Sequence, residues 1–178
     1  PKFGLWSGWS DQGPLWEGIR HCNVLIENIY NVVDMTEEEM NMWAAEAKFL
    51  KAYYHFLLFT YYGPIPIVDE NLPISASDTE VRVKRRTVDE SVAYIVETID
   101  EALPHLPARV LSSNDLGRID QVIAKAIKSR VLTYAASPLF NGNSEMYSAF
   151  VNEDGEHFFN QSYDQTKWEL AREASLDA

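Results

Sequence analysis

Cysteine is nearly missing from this sequence, since Cys22 is the single one among 178 residues. One thiol excludes an internal disulfide framework and fits either a reducing compartment or a bacterial envelope protein that forms no disulfides. Cys22 falls in the middle of a predicted helix, where a small buried side chain is the favoured interpretation over a nucleophile. Thiol chemistry is therefore not expected.

Basic residues are also few, with 15 Lys and Arg against 27 Asp and Glu and a net charge of -12. Nucleic acids are bound through clustered basic side chains that release counterions from the phosphate backbone. We therefore expect no nucleic-acid partner. A short basic run from Arg82 to Arg86 is interpreted as a solvated loop that neutralises nearby acids, with contact to a partner as the alternative.

An apolar run long enough to cross a bilayer is absent as well. The strongest candidate, residues 46–68, contains His55 and is broken by Gly63-Pro64 before ~20 apolar residues accumulate. Six tyrosines and phenylalanines stand among its last ten helical residues, too many for one amphipathic stripe. We predict a core helix covered on most sides, and we interpret its rings as core rather than as a ligand platform.

Residue clusters typical of catalysis or metal binding are missing. The four histidines are scattered and lie at no ligand spacing. Carboxylates are plentiful, as in Glu37, Glu38 and Glu39, but they fall at helix starts or on exposed faces and are interpreted as caps and dipole partners. We predict no catalytic residue, no cofactor and no metal site, so the chain is not expected to be an enzyme.

What the sequence does contain is a series of helices in pairs. The first pair is predicted over residues 14–62, where Pro14 opens one helix and a capping box of Thr36 and Glu39 opens the next. The turn between them is short, which predicts an antiparallel hairpin. The first helix carries one stripe with Asn23 as its polar exception: Trp16, Ile19, Asn23, Ile26, Tyr30 and Val33.

The second pair is predicted over residues 87–137. Thr87 and Glu90 form another capping box before a helix with a clean apolar face, and Pro104 ends that helix. Asp120 caps the following helix, which ends at Ser137-Pro138. Its predicted core face consists of Ile123, Ala126, Ile127, Arg130, Val131 and Tyr134.

The second helices of the two pairs share a pattern. Residues 47–52 and 124–129 both read A-K-x-[L/I]-K-[A/S] and lie 77 positions apart. Together the pairs predict an all-α, tetratricopeptide-like solenoid of helix hairpins with long loops. A long loop over 138–163 leads to the start of a further helix over 164–178, capped by Asp164. We expect one domain that is incomplete at both ends.

Taken in order, these segments resemble the SusD/RagB family of outer-membrane nutrient-binding lipoproteins. The most recognisable segment runs from Glu46 to Tyr54 and on to Tyr62-Gly63-Pro64-Ile65-Pro66. Lys51 stands where the family often carries Arg, and Asp120 where Thr or Ser is common, and both substitutions keep the local physics. The other matching segments are Leu15 to Asn23, Arg86 to Glu90, Ile99 to Pro104, Leu132 to Asn143, Tyr163-Asp164 and Lys167-Trp168.

The resemblance implies a non-enzymatic starch- or glycan-binding lipoprotein exposed on the surface of a Gram-negative bacterium. Such a protein captures oligosaccharides for a SusC-type TonB-dependent transporter in the outer membrane, to which it is held by a lipid anchor; we expect that anchor outside this chain. Three alternatives stay open: a RagB-like peptide-binding subunit, a generic helical-repeat adaptor and an α-helical glycosidase. The glycan or peptide itself is not identified by the sequence.

The predicted ligand-binding residues lie just before the first helix. Trp6 and Trp9 flank Ser7 and Gly8, and exposed indole faces stack on the apolar faces of sugar rings. Asp11 and Gln12 follow and are candidates for hydrogen bonds to sugar hydroxyls. The competing interpretations are that both indoles pack on the helices and that Asp11 and Gln12 are turn and cap residues.

Overall fold

The computed structural model describes residues 9–10 and 13–178, with side chains described from Leu15 onward. Within these residues, six α-helices are joined by long loops, and two short strands, β1 (Trp9–Ser10) and β2 (Gly13–Pro14), pair antiparallel. The predicted all-α class is confirmed. The helices are α1 (Leu15–Asn28), α2 (Glu37–Tyr62), α3 (Val88–Ala102), α4 (Gln121–Ala136), α5 (Ser144–Tyr147) and α6 (Thr166–Asp177), with 3₁₀ turns at Ile29–Asn31 and Leu103–His105.

The long helices pack in chain order, each against the next. Contacts join α1 to α2, α2 to α3, α3 to α4 and α4 to α6. Because each helix packs mainly on its sequence neighbours, the arrangement is that of a helix-hairpin solenoid, as the sequence predicted. No helix among residues 9–10 and 13–178 combines the length and apolar character needed to cross a membrane.

The predicted helix starts are fixed by side-chain caps. Thr36 accepts a hydrogen bond from the Glu39 backbone N–H while the Glu39 carboxylate accepts from the Thr36 backbone N–H, and Thr87 and Glu90 form the same box. Asp120 accepts from the Ile123 N–H at 2.9 Å. Each cap satisfies backbone donors that a helix otherwise leaves without partners.

The aromatic helix α2 is the centre of the core. Phe56, Leu58 and Phe59 have 0 to 1% of their surface exposed, so the prediction of a core helix is confirmed, although Tyr61 at its end is 57% exposed. On one side α1 approaches closely, because a Cβ added at Gly18 would lie 2.8 Å from the Tyr54 ring. A side chain at this position would have to displace the Tyr54 ring, so glycine favours the close packing of the first hairpin.

Two predicted faces differ from the structure. Val33 is 99% exposed, because the α-helix ends at Asn28 and the following 3₁₀ turn and bend carry Val33 off the α1 stripe. On α4 the buried positions are Ala124, Val131, Ala135 and Ala136, whereas Ile123, Ala126 and Arg130 of the predicted face are exposed. This helix packs between α3 and α6, so small residues that allow close approach are buried on it.

The loop over residues 138–163 is held by stacked rings and by one amide. Phe159 stacks on Tyr147 with ring centroids 3.8 Å apart, and the buried Asn141 exchanges two hydrogen bonds with the backbone of Asp164. Gly142 has φ +76° and passes so close to Tyr163 that a Cβ would lie 2.4 Å from its nitrogen. Asp164 then accepts from the Thr166 N–H at 2.9 Å, one residue before the N-cap position of α6.

Candidate functional site

The candidate sugar-binding segment lies directly before α1. The register of the two strands places Trp9 opposite Pro14 and Ser10 opposite Gly13, and α1 begins at the next residue. Trp6, Asp11 and Gln12 lie outside the described residues, as does the side chain of Trp9. A sugar-binding role for these four residues therefore stays a prediction.

A buried polar cluster joins α2 to the loop that follows it, with His55 at its centre. The His55 ring is fully buried, and its Nε2 accepts from the Val68 backbone N–H at 3.2 Å. Because that nitrogen accepts, Nδ1 carries the proton and donates to the Lys51 carbonyl at 2.8 Å. Burial lowers the pKa of His55 from 6.5 to about 4, so the ring is neutral at physiological pH. Its role is structural.

The charged part of this cluster is a salt bridge between α2 and the loop. Lys51 is buried, and its Nζ donates to the Asp69 carboxylate at 2.9 Å and to the Asp69 carbonyl at 3.0 Å. Tyr94 of α3 donates its hydroxyl to the same carboxylate at 2.9 Å. Partial burial raises the pKa of Asp69, but hydrogen bonds from Lys51 and Tyr94 outweigh it, and the pKa lies below its usual value.

Asn23 of α1 borders the same cluster. It is 2% exposed, its Nδ2 makes a 3.4 Å contact with the Val68 carbonyl, and its Oδ1 has no hydrogen-bond partner among the residues that the structure describes. The sequence marked Asn23 as the polar exception on an apolar stripe, and it marked Lys51 only as standing where the resembled family often carries Arg. No pattern in the sequence pointed to Asp69, because its contacts with Lys51 and Tyr94 depend on a loop that folds back along α2.

An open groove lies above this cluster, between α1 and α3 with α2 at its base. Its volume is about 400 Å³. It is lined by Asn23, Ile26, Glu27, Lys48, Lys51, Asp69, Glu70, Tyr94, Glu97, Thr98 and Glu101. The groove is thus a polar concavity formed by three helices and by Asp69 and Glu70 of the loop after α2.

The other residues considered from the sequence have structural partners. Burial raises the pKa of the Cys22 thiol to about 11, which makes it a weak nucleophile. In the basic run, Lys84 lies 3.4 Å from Glu153 and 3.6 Å from Asp154. This contact agrees with the interpretation of the run as a loop that neutralises nearby acids. From residue 15 onward, where side chains are described, no group of three or more His, Cys, Asp or Glu is placed to hold a metal ion.

The fold defines a helix-hairpin scaffold in which long loops join the helices. The chain belongs to the SusD-like family: residues 12–133 match the family model described as "Starch-binding associating with outer membrane". A curated relative, the SusD-like protein P25 of Formosa agariphila, is 25% identical over 131 residues, covering 73% of this chain and 23% of P25.

Solved structures are similar in both sequence and fold. The protein BT4246 is 36% identical and superposes with a TM-score of 0.83 over 92% of this chain and 28% of its own. A laminarin-binding SusD-like protein is 29% identical, with a TM-score of 0.63 over 73% of this chain and 26% of its own. The chain thus spans about a quarter of the length of these relatives.

Proposed function

We propose that this chain is the helical scaffold of a non-enzymatic glycan-binding subunit on the bacterial cell surface, which captures oligosaccharides for a SusC-type TonB-dependent transporter. The family match carries the proposal, because its description joins starch binding to association with the outer membrane. A laminarin-binding relative with 29% identity supports a glycan as the ligand class. In this proposal, a lipid anchor outside the chain holds the protein at the outer membrane.

Within this proposal, Trp6 and Trp9 form the surface on which a sugar ring stacks, and Asp11 and Gln12 orient its hydroxyls. The position of Trp9 in β1 supports this assignment, since β2 leads directly into α1. The packed helix pairs of the solenoid form a rigid support, which itself loses little conformational entropy when a ligand binds.

The test is a calorimetric titration of the intact protein with laminarin and with starch oligosaccharides. Trp6→Ala and Trp9→Ala are each expected to weaken glycan binding by up to about tenfold, because an aromatic stack contributes about 0.5–1.5 kcal/mol. Trp168→Ala is the matched control: Trp168 is a 41% exposed indole on α6, and its removal is expected to leave binding unchanged.

Each part of the proposal has its own contrary outcome. Unchanged binding in both Trp6→Ala and Trp9→Ala rejects the stacking surface while leaving glycan capture in place. If peptides and not glycans raise the melting temperature of the intact protein, the subunit is of the peptide-binding type instead. Release of reducing sugar ends by the purified protein would show hydrolysis and reject a function limited to binding.

A further inference from the structure

Tyr61, in the last turn of α2, differs from the other rings of that helix. Phe56 and Phe59 are buried and Tyr54 is partly buried, whereas Tyr61 is 57% exposed. Its ring meets the edge of Tyr62, with centroids 6.4 Å apart, and its hydroxyl makes no hydrogen bond with another described residue. A flat aromatic face with a polar tip is therefore open to solvent at this end of the helix.

The end of α2 is held in place by other residues. Gly63 has φ +68°, and its N–H donates to the Phe59 carbonyl at 2.8 Å. Pro64 and Ile65, which follow it, are buried and anchor the chain to the core. Replacement of the exposed Tyr61 is therefore not expected to unfold the end of the helix.

The register of the first hairpin places Tyr61 beyond the start of α1. Tyr54 packs over Gly18 of α1, where an added Cβ would lie 2.8 Å from its ring. Tyr61 follows Tyr54 by seven residues, so it lies on the same face of α2 and about 10 Å further along. The antiparallel α1 extends about 4.5 Å in that direction from Gly18 before it ends at its first residue, Leu15. Tyr61 thus lies level with the chain that enters α1, which is the hairpin of β1 and β2.

The predicted sugar-binding residue Trp9 belongs to that hairpin. It pairs with Pro14, the residue before α1. Paired Cα atoms of antiparallel strands lie about 4.5–5.5 Å apart, and the axes of packed helices about 8–10 Å apart. The backbone of Trp9 therefore lies within roughly 15 Å of Tyr61, a separation that one oligosaccharide of a few sugar units can span.

We propose that Tyr61 is a further sugar-stacking residue, and that a glycan bound at the Trp6–Trp9 segment extends across its ring. This inference rests on the proposed function and adds a residue to its binding site. The apolar face of a sugar ring stacks on an aromatic face, and the exposed face of Tyr61 supplies such a surface. Because stacking depends on ring faces and not on charge, the ligand class that fits is a neutral oligosaccharide long enough to reach both aromatic surfaces.

The test is a calorimetric titration of the intact protein with laminarihexaose and with maltohexaose. Tyr61→Leu removes the ring and is expected to weaken binding by up to about tenfold, whereas Tyr61→Phe keeps the ring and is expected to bind within about twofold of the native protein. The melting temperature of each variant without glycan is expected to match that of the native protein, because position 61 is exposed.

The matched control is Tyr30→Leu. Tyr30 is 56% exposed, but it lies in the 3₁₀ turn at the opposite end of α1, so its replacement is expected to leave glycan binding unchanged. Loss of binding in Tyr61→Leu alone, with a native melting temperature, supports the inference.

The contrary outcomes separate this inference from the proposed function. Unchanged binding in Tyr61→Leu, equal loss in Tyr61→Leu and Tyr61→Phe, or equal loss in Tyr61→Leu and Tyr30→Leu overturns the stacking role of Tyr61 and leaves glycan capture in place. A lowered melting temperature in Tyr61→Leu also overturns it, because the ring then supports the fold. If the native protein binds neither hexasaccharide, the inference falls together with the proposed ligand class.

Discussion

At the scale of single residues, the polar groups inside the solenoid are joined by hydrogen bonds rather than left as isolated charges. His55 connects two stretches of backbone, one within α2 and one in the following loop, through its two ring nitrogens. The Lys51 ammonium donates to two oxygens of Asp69, its backbone carbonyl and one carboxylate oxygen. These contacts fix the loop after Pro66 against α2 and thereby position Asp69 below Tyr94. The groove above them is a consequence of this internal bonding.

The buried His55 makes stability depend on pH. Its pKa is 6.5 when unfolded and about 4 when folded, so the unfolded chain binds the extra proton between these values. Stability is therefore expected to fall as pH drops from about 6.5 to about 4, by about 3 kcal/mol from this group. The measurement is urea unfolding at several pH values, comparing the protein with its His55→Gln variant.

The comparison isolates His55 from the many carboxylates that also titrate in acid. Glutamine can hydrogen-bond but does not titrate, so the stability advantage of the native protein over His55→Gln is expected to shrink as pH falls. An advantage that is the same at pH 7 and at pH 4.5 would contradict the assignment of a neutral, buried ring.

At the scale of helices, local sequence sets where each element begins. The capping box at Thr87 is closed on both sides, with the Glu90 carboxylate 2.8 Å from the Thr87 backbone nitrogen. We expect Thr87→Ala to destabilise the protein by about 1 kcal/mol, because α3 loses the acceptor for its Glu90 N–H. The measurement is the shift of the urea unfolding midpoint at neutral pH.

Thr133→Ala is the matched control for this cap. Thr133 is exposed within α4 and bonds only to the Ser129 carbonyl four residues back. Alanine favours a helix interior, so this change is expected to stay within about 0.5 kcal/mol of the native protein. Equal destabilisation by both substitutions would show that the cap is not what holds the start of α3.

The helices were predictable because their signals are local, and the site was less so because its contacts are not. Two capping boxes and the breaks at Gly63 and Pro104 lie within a few residues of the ends they set. By contrast, the buried face of α4 depends on α6, which lies dozens of residues further along. The pairing of Lys51 with Asp69 likewise depends on how the loop after α2 folds back along that helix. The ligand role of Trp6 and Trp9 remains a prediction.

At the scale of the whole molecule, the repeat is visible in its ion pairs. Lys48 joins α2 to the end of α3 through Glu101, and Lys125 joins α4 to the end of α6 through Asp177. In both pairs an acid near a helix C-terminus, where the helix dipole disfavours it, receives a lysine from the preceding long helix. The 77-residue pattern seen in the sequence thus corresponds to one repeated contact between neighbouring helices.

These ion pairs compete with the overall charge of the chain. A net charge of -12 destabilises the folded state through self-repulsion, whereas exposed ion pairs contribute only about 0–1 kcal/mol each. Salt screens both effects, so the larger one decides whether added salt stabilises or destabilises the folded protein. We expect added NaCl at about 0.3 M to raise the melting temperature by about 2–4 °C, the shift that about 1 kcal/mol produces at this size.

A charge-reduced variant separates the two effects. Glu97→Gln, Glu173→Gln removes two exposed carboxylates that form no ion pair with other described residues, so it relieves repulsion without breaking a pair. Calorimetry is expected to show a higher melting temperature than that of the native protein at low salt and a smaller response to NaCl. A melting temperature that falls with NaCl in the native protein would mean that the ion pairs between helices outweigh the repulsion, and that the repeated lysines contribute more to the solenoid than exposed pairs usually do.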